Sequence, residues 1–70
     1  MEYINKKLGK QLRKIREMQD LTRKDVSKLA FTSHNTIVRQ EQGISPITVE
    51  DLINYCKIYK VSISDVLNQL

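Results

Sequence analysis

The chain has no tryptophan, one phenylalanine, one proline, two glycines, one cysteine and one histidine among its 70 residues. Each scarcity excludes something. A lone Cys56 cannot close an internal disulfide, and a single thiol suits a reducing compartment. Two separate glycines, Gly9 and Gly43, cannot form a glycine-rich phosphate loop. One histidine without a cysteine cluster offers no zinc site. Ser33 and His34 are neighbours, but nothing in the sequence sets an acid or an oxyanion hole beside them, so no catalytic triad can be assembled. No apolar run is long enough to cross a bilayer, and Met1-Glu2-Tyr3-Ile4-Asn5 lacks the apolar stretch of a secretory leader. The expectation is a cytoplasmic chain that is not an enzyme. It carries no metal or cofactor, touches no membrane and shows no evident small-molecule substrate. At this length it forms one domain, 1–70, with a core over 6–68 and modest stability.

Charge is abundant but uneven. The net charge is +4. Ten of the twelve lysines and arginines fall between Lys6 and Arg39, against Glu17, Asp20 and Asp25, a balance of +7. From Gln40 onward, Lys57 and Lys60 face Glu41, Glu50, Asp51 and Asp65, a balance of −2. A basic half points to a polyanionic partner, although a lysine-rich solvated helix face has the same composition.

The apolar residues recur at helical spacing and no stretch alternates with period two, so the chain reads as all-α. Leu8, Leu12 and Ile15 form one stripe on a first helix, with Asn5 as its cap and an end near 18–20. Three Ser/Thr-x-x-Asp boxes then open helices. Thr22-Arg23-Lys24-Asp25 precedes Val26, Leu29 and Ala30, expected inward. Thr48-Val49-Glu50-Asp51 precedes a run with Val49, Leu52, Ile53, Cys56 and Tyr59 on one face. Ser62-Ile63-Ser64-Asp65 opens a short last helix with Val66, Leu67 and Leu70 facing in. Between the first two boxes, Ser33 caps a third helix over 33–41, anchored by Ile37 and stopped by Gly43, and Pro46 marks the following loop. Helix two, a short turn and helix three make a helix-turn-helix over about 22–42.

In order and spacing these pieces resemble the phage-repressor and Cro type of helix-turn-helix family, also called XRE-like. The resemblance runs from Leu8 to Leu67. It is carried by Leu8-Gly9-Lys10-Gln11-Leu12-Arg13-Lys14-Ile15-Arg16 and by Leu21-Thr22-Arg23-Lys24-Asp25-Val26. Thr36-Ile37-Val38-Arg39-Gln40-Glu41-Gln42-Gly43, with its Glu-x-Gly close, and Val61-Ser62-Ile63-Ser64-Asp65-Val66-Leu67 complete it. The resemblance implies a five-helix, lambda-repressor-like DNA-binding fold. Some positions depart from it. Ser27 stands where alanine is usual, Arg23 where glutamine is common, and Gln40 where an apolar residue packs. Phe31 takes a turn position normally held by glycine, because positive φ is costly for a side chain there. Either the turn differs locally, or Phe31 supplies extra apolar cover.

Carried over position by position, the resemblance implies base contacts from Ser33, His34, Asn35, Val38 and Arg39. The chemistry agrees. Asparagine can bond adenine N6 and N7, arginine can bond guanine O6 and N7, and Val38 can meet a thymine methyl. Asn35 and Arg39 share a helix face that Ile37 avoids. Phosphate contacts are expected from Arg13, Arg16, Thr22, Arg23, Lys24, Lys28, Gly43 and Ser45, with Lys10 and Ile44 as helpers. The resemblance also implies a partly buried ion pair between Arg16 and Glu41. The functional expectation is a sequence-specific repressor bound to double-stranded DNA as a homodimer, with helix five, Tyr55, Ile58, Tyr59 or Leu70 at the dimer surface. Those residues could equally complete the core. Two alternatives stand beside it: an antitoxin-like module with a protein partner, or the DNA-binding part of a longer, ligand-sensing regulator.

Overall fold

The computed structural model describes the backbone of residues 2–70 and the side chains of residues 4–70, and Met1, counted in the expected domain, lies outside the described residues. Five helices follow one another: α1 (Glu2–Met18), α2 (Arg23–Ala30), α3 (His34–Glu41), α4 (Val49–Tyr59) and α5 (Ile63–Asn68), with no strand among the described residues. The all-α, five-helix expectation is met. α1 is the spine and packs against α3, α4 and α5, while α2 packs against α3 and α4.

Local chemistry sets the helix starts. Thr22 and Thr48 each accept from the N–H three residues on, and the Asp25 and Asp51 carboxylates bond back to the cap, completing two capping boxes. The third expected box is half made: Ser62 Oγ accepts from Asp65 N–H at 3.1 Å. Asn5 does not cap α1. Nothing upstream breaks a helix, so α1 begins at Glu2 and Asn5 lies within it.

Four helices end by one device, an N–H reaching back five residues across a left-handed residue. Leu21 bonds Arg16, Thr32 bonds Ser27, Ile44 bonds Arg39 and Val61 bonds Cys56, at 2.9–3.2 Å. The left-handed residues are Asp20, Phe31, Gly43 and Lys60. Only Gly43 is glycine, and there a Cβ would sit 2.5 Å from Lys6 Cγ. Phe31 takes the left-handed conformation expected of glycine at that turn, at φ 51°, and is 97% exposed. It thus neither reshapes the turn nor covers the core.

The core holds Leu8, Leu12, Val26, Ile37, Leu52, Tyr55, Cys56, Tyr59 and Val66. The Tyr55 and Tyr59 rings stack with centroids 6.1 Å apart. Both tyrosines therefore complete the core and are not available as a dimer surface. Several residues expected inward lie outside: Leu29, Val49, Ile53 and Leu67 are exposed. The reason is angular. On α4 the buried stripe is Leu52, Tyr55, Cys56 and Tyr59, which leaves Val49 and Ile53 at its edge. On short α2 and α5 only Val26 and Val66 reach full burial. Gly9 is buried where α1 meets α3, because a Cβ there would lie 2.2 Å from the Gln40 carbonyl oxygen.

Two outcomes are expected. Phe31→Gly relieves ~1–2 kcal/mol of left-handed strain against ~0.4–1 kcal/mol of added unfolded-chain entropy, for a net gain of about 0.5–1 kcal/mol. Thermal unfolding should show a midpoint a few degrees higher, and a lower midpoint would mean that the ring packs in the native state. The second outcome concerns pH. Burial, with Asp51 and Glu41 nearby, pushes the Tyr55 hydroxyl up to about 12, and burial raises Tyr59 likewise above the ordinary value of 10.0. A raised folded value means stability that is fully present below pH 10 and lost as pH climbs from there towards 12. Urea midpoints should hold steady up to about pH 10 and fall beyond it; midpoints flat to pH 12 would place these hydroxyls in water.

Candidate nucleic-acid interface

α3 is eight residues long, too short to persist alone in water, so its position is set by what grips it. Its inner face carries Ile37, Gln40 and Glu41, all buried. By the resemblance Gln40 stands where an apolar residue is expected, and the structure supplies its partners. Its Nε2 donates to Asp51 Oδ2 at 2.9 Å and to the Pro46 carbonyl at 3.3 Å, and Tyr55 Oη donates to its Oε1. No buried side-chain polar atom among the described residues lacks a partner.

Glu41 is gripped more strongly. Arg16 Nε donates to its Oε2 at 2.8 Å and Arg16 Nη2 to its Oε1 at 3.2 Å. Arg23 Nε donates to the same Oε1 at 2.9 Å. The Glu41 side chain is 4% exposed, against 9% for Arg16 and 25% for Arg23. Arg16 Nη1 donates further to the Leu21 carbonyl at 2.8 Å. Each nitrogen of Arg16 is therefore engaged inside the chain. The Glu41 hydrogen bond, followed by its charge, raises the Arg16 guanidinium above its ordinary value despite burial. One carboxylate thus ties the end of α1, the start of α2 and the end of α3 together.

With Ile37, Gln40 and Glu41 turned in, the other face of α3 is left to solvent. His34, Asn35 and Arg39 are exposed and Val38 is half-buried. Ser33 is exposed as the helix cap, where its Oγ accepts from Thr36 N–H at 3.1 Å and meets Thr36 Oγ1 at 2.8 Å. The first turn of α3 holds no acid, whereas those of α2, α4 and α5 hold Asp25, Glu50 with Asp51, and Asp65. The positive end of this one helix dipole is unopposed by a carboxylate of its own first turn.

The residues expected to touch phosphate do not form one group. Thr22, Arg23 and Lys24 line an open depression of about 470 Å³ together with His34, Arg16, Leu21, Glu17 and Asp20. Arg13 stands on α1 away from it, paired at 3.7 Å with Glu17 and half exposed. Lys10 and Lys28 are exposed. Gly43, Ile44 and Ser45 lie at the opposite end of α3, and their N–H groups are spent on the Gln40 and Arg39 carbonyls that close that helix. Cys56 is buried, and burial raises its thiol above the usual range. No group of His, Cys, Asp and Glu that could hold a metal occurs among the described residues, and no helix there is long and apolar enough to cross a membrane.

Residues 7–69 match the family model described as a helix-turn-helix domain, and the chain belongs to that family. Solved structures agree. The clp gene regulator ClgR from Corynebacterium glutamicum superimposes with a TM-score of 0.87 at 25% identity, over 91% of this chain and 83% of that one. A second ClgR structure gives 0.88 at 25% identity, over 91% and 68%. Among curated proteins, the antitoxin PezA of Streptococcus pneumoniae is 27% identical over 62 residues, which is 89% of this chain and 39% of PezA. The chain thus spans about two fifths of that relative's length. The fold is that of DNA-binding transcription regulators, a family whose members are generally not enzymes.

Two features of the site show in the sequence only as unusual residue types, with no sign of their partners. One is the polar socket around Gln40; the other is the bond from Arg23 to Glu41. Both depend on residues 11–18 positions apart meeting through rotamers that spacing does not specify. Removing the shared carboxylate should be severe. Glu41→Ala strands two guanidinium groups, one of them buried, and should cost about 3–5 kcal/mol. Chemical denaturation should show a midpoint near collapse, and an unchanged midpoint would mean the carboxylate holds nothing.

Proposed function

We propose that the chain is a sequence-specific transcriptional regulator of double-stranded DNA, acting as a repressor by occupying an operator. The outward face of α3 enters the major groove, with Asn35 and Arg39 bonding base edges, His34 and Val38 beside them, and Ser33 at the margin. Arg13, Thr22, Arg23, Lys24 and Lys28 follow the phosphates, and the Ser45 hydroxyl meets the backbone beyond the helix end. The observation that carries this reading is the partition of α3. Three of its residues are locked inward by ion pair, amide socket and core, while His34 and Asn35 stand clear in an acid-free first turn and Arg39 on the exposed face of the last turn.

One such helix spans only a few base pairs. A homodimer on a pseudo-palindrome, with half-sites about 34 Å apart, supplies the missing specificity. With Tyr55 and Tyr59 in the core, the apolar residues left for that contact are Leu67, which is exposed, and Ile58, Ile63 and Leu70, which are partly buried.

A second reading, a module that binds DNA and also a protein partner, is favoured by the likeness to an antitoxin and by the exposure of Leu29 and Phe31. It shares the α3 interface and differs in what else the chain holds.

The test is selection of bound sites from random duplexes. Enrichment of a two-fold symmetric sequence supports the reading, while no enrichment and no association at low ionic strength defeat it. On the selected site Arg39→Ala should cost about 1–3 kcal/mol and relax the preference at one base pair. Equal losses on selected and random duplexes would move Arg39 to the phosphate backbone.

A further inference from the structure

We propose, on the protein-partner reading above and apart from DNA contact, that the end of α2 and the outer side of α4 dock an acidic, apolar segment of a partner protein. The Phe31 ring is the anchor of that surface.

Four residues take the left-handed conformation at helix ends: Asp20, Phe31, Gly43 and Lys60. Asp20 and Lys60 are charged and at ease in water, and Gly43 has no side chain. Phe31 alone sets a large apolar group there, at φ 51° and ψ 38°, with its ring almost wholly exposed. It bears backbone strain and gains no burial within the folded chain. Strain of this kind, unmatched by any contact inside the molecule, points to use at a contact outside it. An aromatic ring offers a partner a large rigid surface with only two side-chain torsions to fix.

The ring does not stand alone. Leu29 is more than half exposed beside it. Leu29, Ala30 and Phe31 on one side, with Asn54, Lys57 and Ile58 of α4 on the other, line an open depression of about 260 Å³. It shares no residue with the depression lined by Arg23, Lys24 and His34. A side chain laid beside the Phe31 ring would reach Ile58, which is itself only partly buried against the core.

Charge selects the occupant. From Gln40 onward the chain has only two lysines, Lys57 and Lys60, and both stand exposed at this end of α4. Lys57 lines the depression, and neither lysine forms an ion pair among the described residues. None of the described residues lining the depression is acidic. Glu50 shares the face of Asn54 and Lys57 but lies in the first turn of α4, away from the lysine end. Apolar surface bordered by free ammonium groups is complementary to apolar side chains flanked by carboxylates. It is not complementary to itself. A two-fold contact through this face would set Lys57 and Lys60 against the same basic surface of a second copy.

The experiment selects binders from a library of random displayed peptides on the immobilised chain and measures the recovered sequences against variants. Sequences that join aromatic or aliphatic residues to Asp or Glu should enrich. Their binding should weaken by about tenfold or more on Phe31→Gly, as for an anchor residue. That variant is the one expected to unfold at a higher temperature, so its lost binding is not a lost fold. Lys57→Glu should weaken the same peptides. Recovery of basic or uncharged sequences overturns the proposal. So do peptides that bind Phe31→Gly as tightly as the unaltered chain; they place the partner surface elsewhere and leave the partner reading standing. No enrichment at all fails that reading as well. Sedimentation of the chain alone tests the remaining occupant: a dimer that Phe31→Gly abolishes gives this face to a second copy and overturns the acidic partner.

Discussion

A single buried carboxylate holds the arrangement together. Glu41 is removed from water, which is tolerable only because two arginines and their hydrogen bonds replace its hydration. Its partners come from the end of α1 and the start of α2, and Arg16 also holds the connection between them through the Leu21 carbonyl. Buried ion pairs often add little net stability compared with an apolar core of the same shape. What this one adds is direction. A guanidinium fork accepts a carboxylate in few orientations, so the roll of α3 about its axis is set by the one residue in its last turn that is least able to point elsewhere.

The second restraint acts from the opposite side. Gln40 bonds Asp51, Pro46 and Tyr55, and so joins α3 to α4 and to the loop between them. Asp51 is also the acid of the α4 capping box, so one carboxylate oxygen serves both the start of α4 and the seat of α3. Gly9 lets the α1 backbone approach the last carbonyls of α3. All three restraints act on the C-terminal half of α3. The N-terminal half carries the Ser33 cap and the Ile37 anchor. That division suits a helix whose first turns are to be inserted somewhere.

Much of this was legible from residue types alone. The caps at Thr22, Thr48 and Ser62, the stop at Gly43 and the stripe Leu8–Leu12 rest on local backbone chemistry, which sequence encodes directly. The Arg16–Glu41 pair came from resemblance. What escaped depends on angles and on distant partners. Asn5 is a good cap type, but a cap needs a break before it, and none exists. Ile53 and Leu67 each lie one helix step, about 100°, from a buried neighbour, Leu52 and Val66. Arg23 reads as a phosphate contact from its type and place, and nothing local signals its bond to Glu41, which links residues 18 positions apart. Gln40 is an unusual type for its position, and only the tertiary structure supplies the tyrosine and carboxylate that bond it.

The distribution of acids connects the fold to its proposed use. Helix starts attract carboxylates because the dipole and the free N–H groups favour them, and α2, α4 and α5 all follow that rule. α3 does not. Its first turn offers His34, Asn35 and Thr36 in place of an acid, giving up a few tenths to about 1 kcal/mol of helix stabilisation. A short helix that most needs such help lacks it at the end facing outward and receives it instead, through Glu41 and Gln40, at the end facing inward. Selection for stability alone would place an acid at that start. An approaching polyanion reverses the preference, because a carboxylate there would repel phosphate while neutral amide and imidazole groups can bond a base edge.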